Sequence, residues 1–261
     1  MIFCSLYSGS SGNSIFVSSG NTKVLIDAGM PGKSIEQALN RIGETGNNID
    51  AIFVTHEHTD HTKGVGILSR KYDIPIYANE LTWNAMERTL GKIKETNIKF
   101  IEKKCVNIND MDILNYDIPH DAVNPSGYAL HHAGKKVCIA TDLGYFSEDI
   151  KNNLLDADVI LLESNHDVEM LKFGPYPYPL KKRILSDVGH LSNEACGHAI
   201  TDLMNSKMKR VILGHLSKTN NYPELAYQTV INILKEKGIE LNKDIALTLA
   251  KRDMPSNYIE F

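Results

Sequence analysis

The chain has 261 residues, 42% of them hydrophobic, enough for a substantial core. With 28 Lys and Arg against 32 Asp and Glu the formal net charge is −4, which excludes a globally basic coating protein and leaves a local basic patch as the route to a polyanion. No stretch approaches the roughly 18 apolar residues of a membrane span, and the opening MIFCSLYSGSSGNSIFV has neither a basic start nor a long apolar run, so neither a membrane protein nor a secretory leader is expected.

Cys4, Cys105, Cys138 and Cys196 are scattered without a CxxC pair, which fits buried thiols of a reducing cytoplasm rather than a disulfide framework. No linker or low-complexity tract divides the sequence, so residues 1–261 read as one domain.

In chain order, residues 5–29 read as short strands joined by Gly, Ser and Asn turns. SIEQALNRIG follows as a helix with Ser34 as N-cap, Gln37 closing a capping box and Gly43 as the stop. AIFVT, from Ala51, is a buried strand, IPIYAN another, and ELTWNAMERTLG a helix stopped by Gly91. Residues 98–140 alternate in short β-like pieces, with NPSG and HHAGKK as turns. KVCIATD is a strand, SEDIKNNLLDA a helix capped by Ser147, and DVILLESN a strand. SNEACGHAITDLMN, ending at Asn205, is a helix capped by Ser192. KRVILGH is a strand, and YPELAYQTVINILKEKG a helix with Pro223 early and Gly238 at its end. A strand-rich opening followed by strand–helix alternation implies a layered mixed α/β fold.

The strand AIFVT runs directly into HEHTDHTKG, which places His56, His58, Asp60 and His61 within six residues. Three histidines and a carboxylate at the end of a buried strand are costly unless a cation binds them. The HxHxDH spacing aims His56 and His58 at one metal, and Asp60 and His61 at a neighbouring one. Further ligands belong at other strand ends, where His120, Asp142, His166 and His215 stand. A lone histidine at such a place is ordinarily a hydrogen-bonded core residue; beside HxHxDH these become the missing ligands.

HxHxDH, then His, Asp and His, resembles the metallo-β-lactamase superfamily. That resemblance implies an αββα sandwich of two mixed β-sheets flanked by helices, with a dinuclear metal site at the sheet edges. It further implies that His56, His58 and His120 hold one metal, that Asp60, His61 and His215 hold the other, and that Asp142 bridges. LIDAG resembles the first motif of the superfamily, with Asp27 supporting the metal loop rather than binding metal. SGSSGNS, HDAVNPSGY, ESNHD, PYPLKKRILSDVGHLSN and GHLSKTNN together resemble the YycJ/WalJ-type group, bacterial metal-dependent 5′→3′ exonucleases acting on DNA. Small-molecule and RNA phosphodiesterases of the PhnP and tRNase Z types share that core. A non-hydrolytic redox module would want Glu in place of His58, and a thiolate lactamase site would want Cys near Asp142. Asp142 and His215, 73 residues apart, leave no room for the extra domain of the longer RNA nucleases.

His/Asp ligation without sulfur suits two divalent ions, Zn²⁺ or Mn²⁺. Such a pair, about 3.5–4 Å apart, turns a bridging water into hydroxide near neutral pH and polarises a phosphoryl oxygen. The leaving oxygen still needs a proton. GHLS occurs at Gly189 and again at Gly214. His215 ends the strand KRVILGH and reads as a ligand; His190 follows a polar segment and precedes a helix, and reads as the catalyst, with His166 assisting at the substrate phosphate. Between them, MLKFGPYPYPLKKRILSDVGH combines Phe173, Tyr176 and Tyr178 with Lys172, Lys181, Lys182 and Arg183. Aromatic rings stack on bases while cations neutralise phosphates, so this segment reads as a substrate lip for nucleic acid, DNA by the resemblance, rather than a proline-stiffened lid.

Overall fold

The structure, a computed structural model, describes residues 1–204 and 209–261. The first half consists of β1 (Ile2–Tyr7), β2 (Ser14–Ser18), β3 (Lys23–Ile26), α1 (Gly32–Arg41), β4 (Ala51–Phe53), the single turn α2 (Thr59–Thr62), α3 (Val65–Tyr72), β5 (Ile76–Ala78), α4 (Glu80–Leu90) and β6 (Ile98–Phe100). The second half runs through β7 (Cys105–Ile108), β8 (Met111–Asp117), β9 (Ser126–His132), β10 (Lys135–Ala140), α5 (Glu148–Leu154) and β11 (Val159–Glu163). It continues with α6 (Val168–Phe173), α7 (Tyr178–Ile184), α8 (Asn193–Asp202), β12 (Lys209–Gly214), α9 (Pro223–Glu236) and β13 (Ile245–Leu249). Finally β14 (Ser256–Glu260) returns to pair antiparallel with β1.

Two seven-stranded sheets result, ordered β14-β1-β2-β3-β4-β5-β6 and β13-β12-β11-β10-β9-β8-β7. Each is mixed: β3 to β6 and β10 to β13 pair in parallel, the rest antiparallel. The central parallel strands β11 and β12 are buried on both faces along most of their length, which is why they read as continuous apolar runs, VILLE and VILG, rather than as alternation. The inner faces meet in one apolar layer that includes Phe3, Phe53, Tyr128, Leu130, Ile139, Leu161 and Ile212. A second layer sets the first sheet against α1, α3 and α4 through Ile35, Leu39, Leu68, Trp83 and Met86. A third sets the second sheet against α5, α8 and α9 through Ile150, Leu154, Ile200, Val230 and Leu234. The arrangement is the expected αββα sandwich.

Two local expectations change. The helix α1 starts at Gly32 behind Pro31, not at Ser34, and no side chain caps it. Proline at φ −49° already fixes the entry, so the Ser34/Gln37 capping box is not used. His131 and His132 lie on β9 rather than in a turn; the turn is the two-residue Ala133–Gly134, both at positive φ, as a tight hairpin requires. Ser147 and Ser192 do cap α5 and α8, accepting from the Ile150 and Ala195 amides at 3.2 Å. The end of the predicted helix at Asn205 lies outside the described residues.

Candidate metal centre

The carboxyl ends of parallel strands from both sheets converge on one edge, the place where open α/β sheets present ligands. Asp27 follows β3, Thr55 and His56 follow β4, Asp142 follows β10, Glu163 ends β11 and His215 follows β12. His58 stands at the N-cap of α2 and His61 within it, so one helical turn folds the HxHxDH stretch back on itself. Asp27, Asp142 and His215 have φ of 61°, 60° and 54°. This left-handed conformation costs non-glycine residues about 1–2 kcal/mol each, and it is retained here where the strand must turn sharply at the site.

The seven expected ligands come together. His56, His58 and His120 form one group, Asp60, His61 and His215 another, and Asp142 groups with His56 and His61; within each group the donor atoms lie within 4.8 Å of one another. Asp142 spans the two: its oxygens are 3.2 Å from His61 Nε2, 3.5 Å from His215 Nε2 and 3.8 Å from His120 Nε2. Asp60 Oδ2 lies 3.6 Å from His61 Nε2 and 3.7 Å from His215 Nε2.

The second nitrogens test whether the cluster fits metal ions. His56 Nδ1 is engaged by Thr55 Oγ1 at 2.9 Å, His61 Nδ1 by Asp27 at 2.7 Å, His120 Nδ1 by the Gly189 carbonyl at 3.1 Å and His215 Nδ1 by Glu163 at 2.7 Å. All four thereby leave Nε2 for the centre, while His58 presents Nδ1, 3.0 Å from His56 Nε2. Second-nitrogen anchoring of this kind fixes ring orientation at metal sites. His215 Nε2 and Asp142 Oδ2 are buried and lack hydrogen bonds, orphaned atoms that a cation satisfies. Asp27 also accepts from the Thr55 amide and hydroxyl, both at 2.8 Å, which ties it to the residue before His56.

Charge in the cluster is balanced internally. Burial pushes His56 well below the usual imidazole range, assisted by His61, and lowers His120 as well; both are neutral donors. Burial acts the same way on His61 and His215, but the Asp142 carboxylate, with Asp27 and Asp60 at His61 and with Asp60 and Glu163 at His215, outweighs it. His61 stands well above its ordinary value and His215 rises to about 10. Asp60 and Asp142 are correspondingly held far below the carboxylate range despite burial, which alone would raise them. The carboxylates thus favour positive charge at this centre, the charge that a bound cation would supply.

Glu163, which the sequence reading passed over, ties the two GHLS segments together. Its Oε1 lies 2.9 Å from His190 Nδ1 and 2.7 Å from His215 Nδ1, and its Oε2 accepts from the amides of Leu143 (2.8 Å) and Leu191 (3.1 Å). Full burial would raise this carboxyl, yet the two histidines hold it down to about 2. Burial would lower His190, but Glu163 and then Asp142 leave it raised. With Nδ1 committed to Glu163, Nε2 of His190 is the nitrogen left for substrate. Glu163→Gln is therefore expected to lower activity roughly 10- to 100-fold. It should also move the alkaline limb of the pH–rate profile to lower pH, because a histidine deprived of the anion loses its proton earlier. An unchanged profile would show that Glu163 does not hold His190.

A cavity of about 150 Å³ opens beside this centre, lined by His190, Arg183, Tyr176, Ser10, Asp121 and Ser217, among others. The side chain of His190 is 19% exposed, its ring 5.1 Å from that of His120 and 5.4 Å from that of His215. Asp121, also unforeseen, pairs with Arg183 and lies 3.3 Å from His120 Nε2. The expected substrate lip divides: Tyr176 and Arg183 line the inner cavity, whereas Lys172, Tyr178, Lys181 and Lys182 line a separate groove of about 420 Å³ on the other face of α7. His166 is not brought to the cavity. It is 1% exposed, neither ring nitrogen has a hydrogen-bond partner, and burial pushes it down to about 4, so the assisting role expected for it finds no support in its position.

The sequence profile described as "Metallo-beta-lactamase superfamily" matches residues 7–215, a span that contains every residue of the cluster. The chain is 42% identical to "Exodeoxyribonuclease YycJ" of Bacillus anthracis over 256 residues, 97% of each chain. It is 43% identical to "Exodeoxyribonuclease WalJ" of Streptococcus pneumoniae (strain D39) over 242 residues, 92% of this chain and 90% of the relative. Among solved structures, the metallo-beta-lactamase fold protein YhfI from Bacillus subtilis superposes with a TM-score of 0.71 at 13% identity, covering 98% of both chains, a likeness of fold alone.

Proposed function

This chain belongs to the metallo-beta-lactamase superfamily, and from its likeness to two exodeoxyribonucleases of that superfamily we infer that it is a metal-dependent phosphodiester hydrolase, an exonuclease acting on DNA; the 5′→3′ direction is proposed from the motifs that resemble the YycJ/WalJ-type group. The observation that carries this reading is the seven-residue His/Asp cluster set directly against the cavity that His190 and Arg183 line. His56, His58 and His120 would hold one divalent ion and Asp60, His61 and His215 a second, with Asp142 shared; donors of this kind suit Zn²⁺ or Mn²⁺. Ions held there supply Lewis acidity toward a phosphoryl oxygen and activate water near neutral pH.

The protein's own groups do the rest. Arg183, its guanidinium fixed by Asp121, neutralises the phosphate that enters the cavity and orients it. The Tyr176 ring stacks on the adjoining base or sugar. His190 delivers a proton from Nε2 to the leaving oxygen while Glu163 holds the ring and stabilises its protonated form. Lys172, Tyr178, Lys181 and Lys182 extend this binding outward along α7 without base-specific reading. Cys4, Cys138 and Cys196 are buried and all four thiols are free, which favours a reducing, cytoplasmic setting. Among the described residues no helix is long and apolar enough to cross a membrane.

Digestion of DNA and RNA of one sequence, labelled at either end, tests the reading. The expected outcome is metal-dependent release of nucleotides from the 5′ end of DNA. Cleavage confined to RNA, or to small diesters, would overturn the assignment of DNA.

A further inference from the structure

We propose that a second basic groove, lined by Lys218, Lys251 and Arg252, carries the sugar-phosphate backbone of the substrate strand several nucleotides away from the reacting phosphate. The inference rests on the phosphodiester-strand substrate proposed above and assigns that substrate a second contact surface.

This groove is a cavity of about 660 Å³. Its wall is shared with the His190 cavity. In the turn after β1, Ser8 lines the groove and Ser10 lines the inner cavity; in the loop after β12, Leu216 and Lys218 line the groove while Ser217 lines the inner cavity. Two loops thus separate the spaces by one residue's thickness. Gly9 sits at the crossing, where an added Cβ would stand 3.3 Å from the Leu216 carbonyl and 3.4 Å from Arg252, tighter than or at the edge of ordinary contact. Arg252 donates to the Leu216 carbonyl at 3.0 Å and lies near enough to Tyr176 of the inner cavity to interact with it electrostatically. Arg252 therefore stands at the boundary between the two spaces.

The groove is also fastened to the metal centre. The Ser8 amide donates to the Lys251 carbonyl at 3.2 Å, and the Ser8 hydroxyl accepts from the His215 amide at 2.9 Å. Lys218 and Lys251 are exposed, and neither is paired with a carboxylate among the described residues; the Lys251 ammonium touches only the Met254 sulfur, at 3.8 Å. Asp253 is the carboxylate that lines the same cavity, against three cations, in a chain whose net charge is −4. A local cationic excess on an acidic protein, separated by only two loops from the His190 cavity, matches a polyanionic strand and has no other evident counter-charge.

The test is binding of a fluorescein-labelled single-stranded phosphorothioate oligodeoxynucleotide to the metal-loaded protein, followed by anisotropy across a salt series. In the Lys218→Ala/Lys251→Ala double variant, the slope of log K against log salt should become shallower by about 1.4, two phosphate contacts at about 0.7 each for single strands. The Lys218→Arg/Lys251→Arg variant should restore it, and hydrolysis of bis-p-nitrophenyl phosphate should be unchanged in both. An unaltered slope in the alanine variant, or wild-type protein that fails to bind the oligonucleotide, overturns the groove. A chromogenic rate that falls with the slope does so as well, since the lysines would then support the centre instead of the strand. Wild-type protein that binds with the expected slope but cleaves no diester defeats the hydrolase reading and leaves the groove standing.

Discussion

His190→Ala is expected to keep its fold and both metal ions and to lose roughly 10²- to 10⁴-fold in rate, about 3–5 kcal/mol of barrier, the scale of a positioned general acid. The loss should shrink for diesters with good leaving groups such as p-nitrophenolate, which depart without a proton, and be largest for DNA. His215→Ala should behave differently: its Nε2 faces Asp60 and Asp142 and has no hydrogen bond, so its removal leaves one ion under-coordinated and lowers occupancy at that site. Both rings hang on one Glu163 oxygen, which makes the pair a controlled comparison: same anchor, different task. Metal analysis and rates on nitrophenyl and DNA substrates separate the two roles. If His190→Ala sheds metal while His215→Ala retains both ions, the roles are reversed.

Asp142→Ala is expected to disturb both metal sites together. Its carboxylate lies within 3.8 Å of nitrogens from both groups, so no other single side chain can replace it. Loss of the shared ligand should remove several kcal/mol of charge stabilisation, at least about 10³-fold in rate toward every diester, good leaving group or poor. That indifference to the leaving group distinguishes it from His190→Ala. Loss of one ion alone, with the other at full occupancy, would show that Asp142 does not serve both.

Much of the centre was legible because it obeys one rule: a polar residue directly after an apolar, β-branched strand has no business there unless it is bound. HxHxDH after AIFV, Asp142 after CIAT and His215 after VILG all follow it. Glu163 follows it too, as the last residue of VILLE, but an acid inside the strand itself resembles an ordinary strand end, and nothing local reveals that two histidines 27 and 52 residues later share it. Asp121 is a loop residue whose role depends on Arg183, 62 positions away. The division of the basic segment was legible in principle, since Leu180, Arg183 and Ile184 fall at helical spacing on one face of α7, next to Tyr176 just before the helix, and Tyr178, Lys181 and Lys182 on the other. His166 follows an apolar strand as the clustered residues do, yet it is buried and does not line the His190 cavity, a difference with no local signature. Strand order, and the return of β14 to β1 across the chain, depend on tertiary pairing and have no local signature.

The central claim, that this cluster is a two-metal hydrolytic site, is tested most directly by titrating exhaustively chelated protein with Zn²⁺ or Mn²⁺ while following bis-p-nitrophenyl phosphate hydrolysis and counting bound ions. The account predicts no activity in the metal-free protein and a rate that rises to a plateau at two ions per chain. Hydrolysis that persists unchanged after verified metal removal, or two bound ions with no hydrolysis, would contradict it.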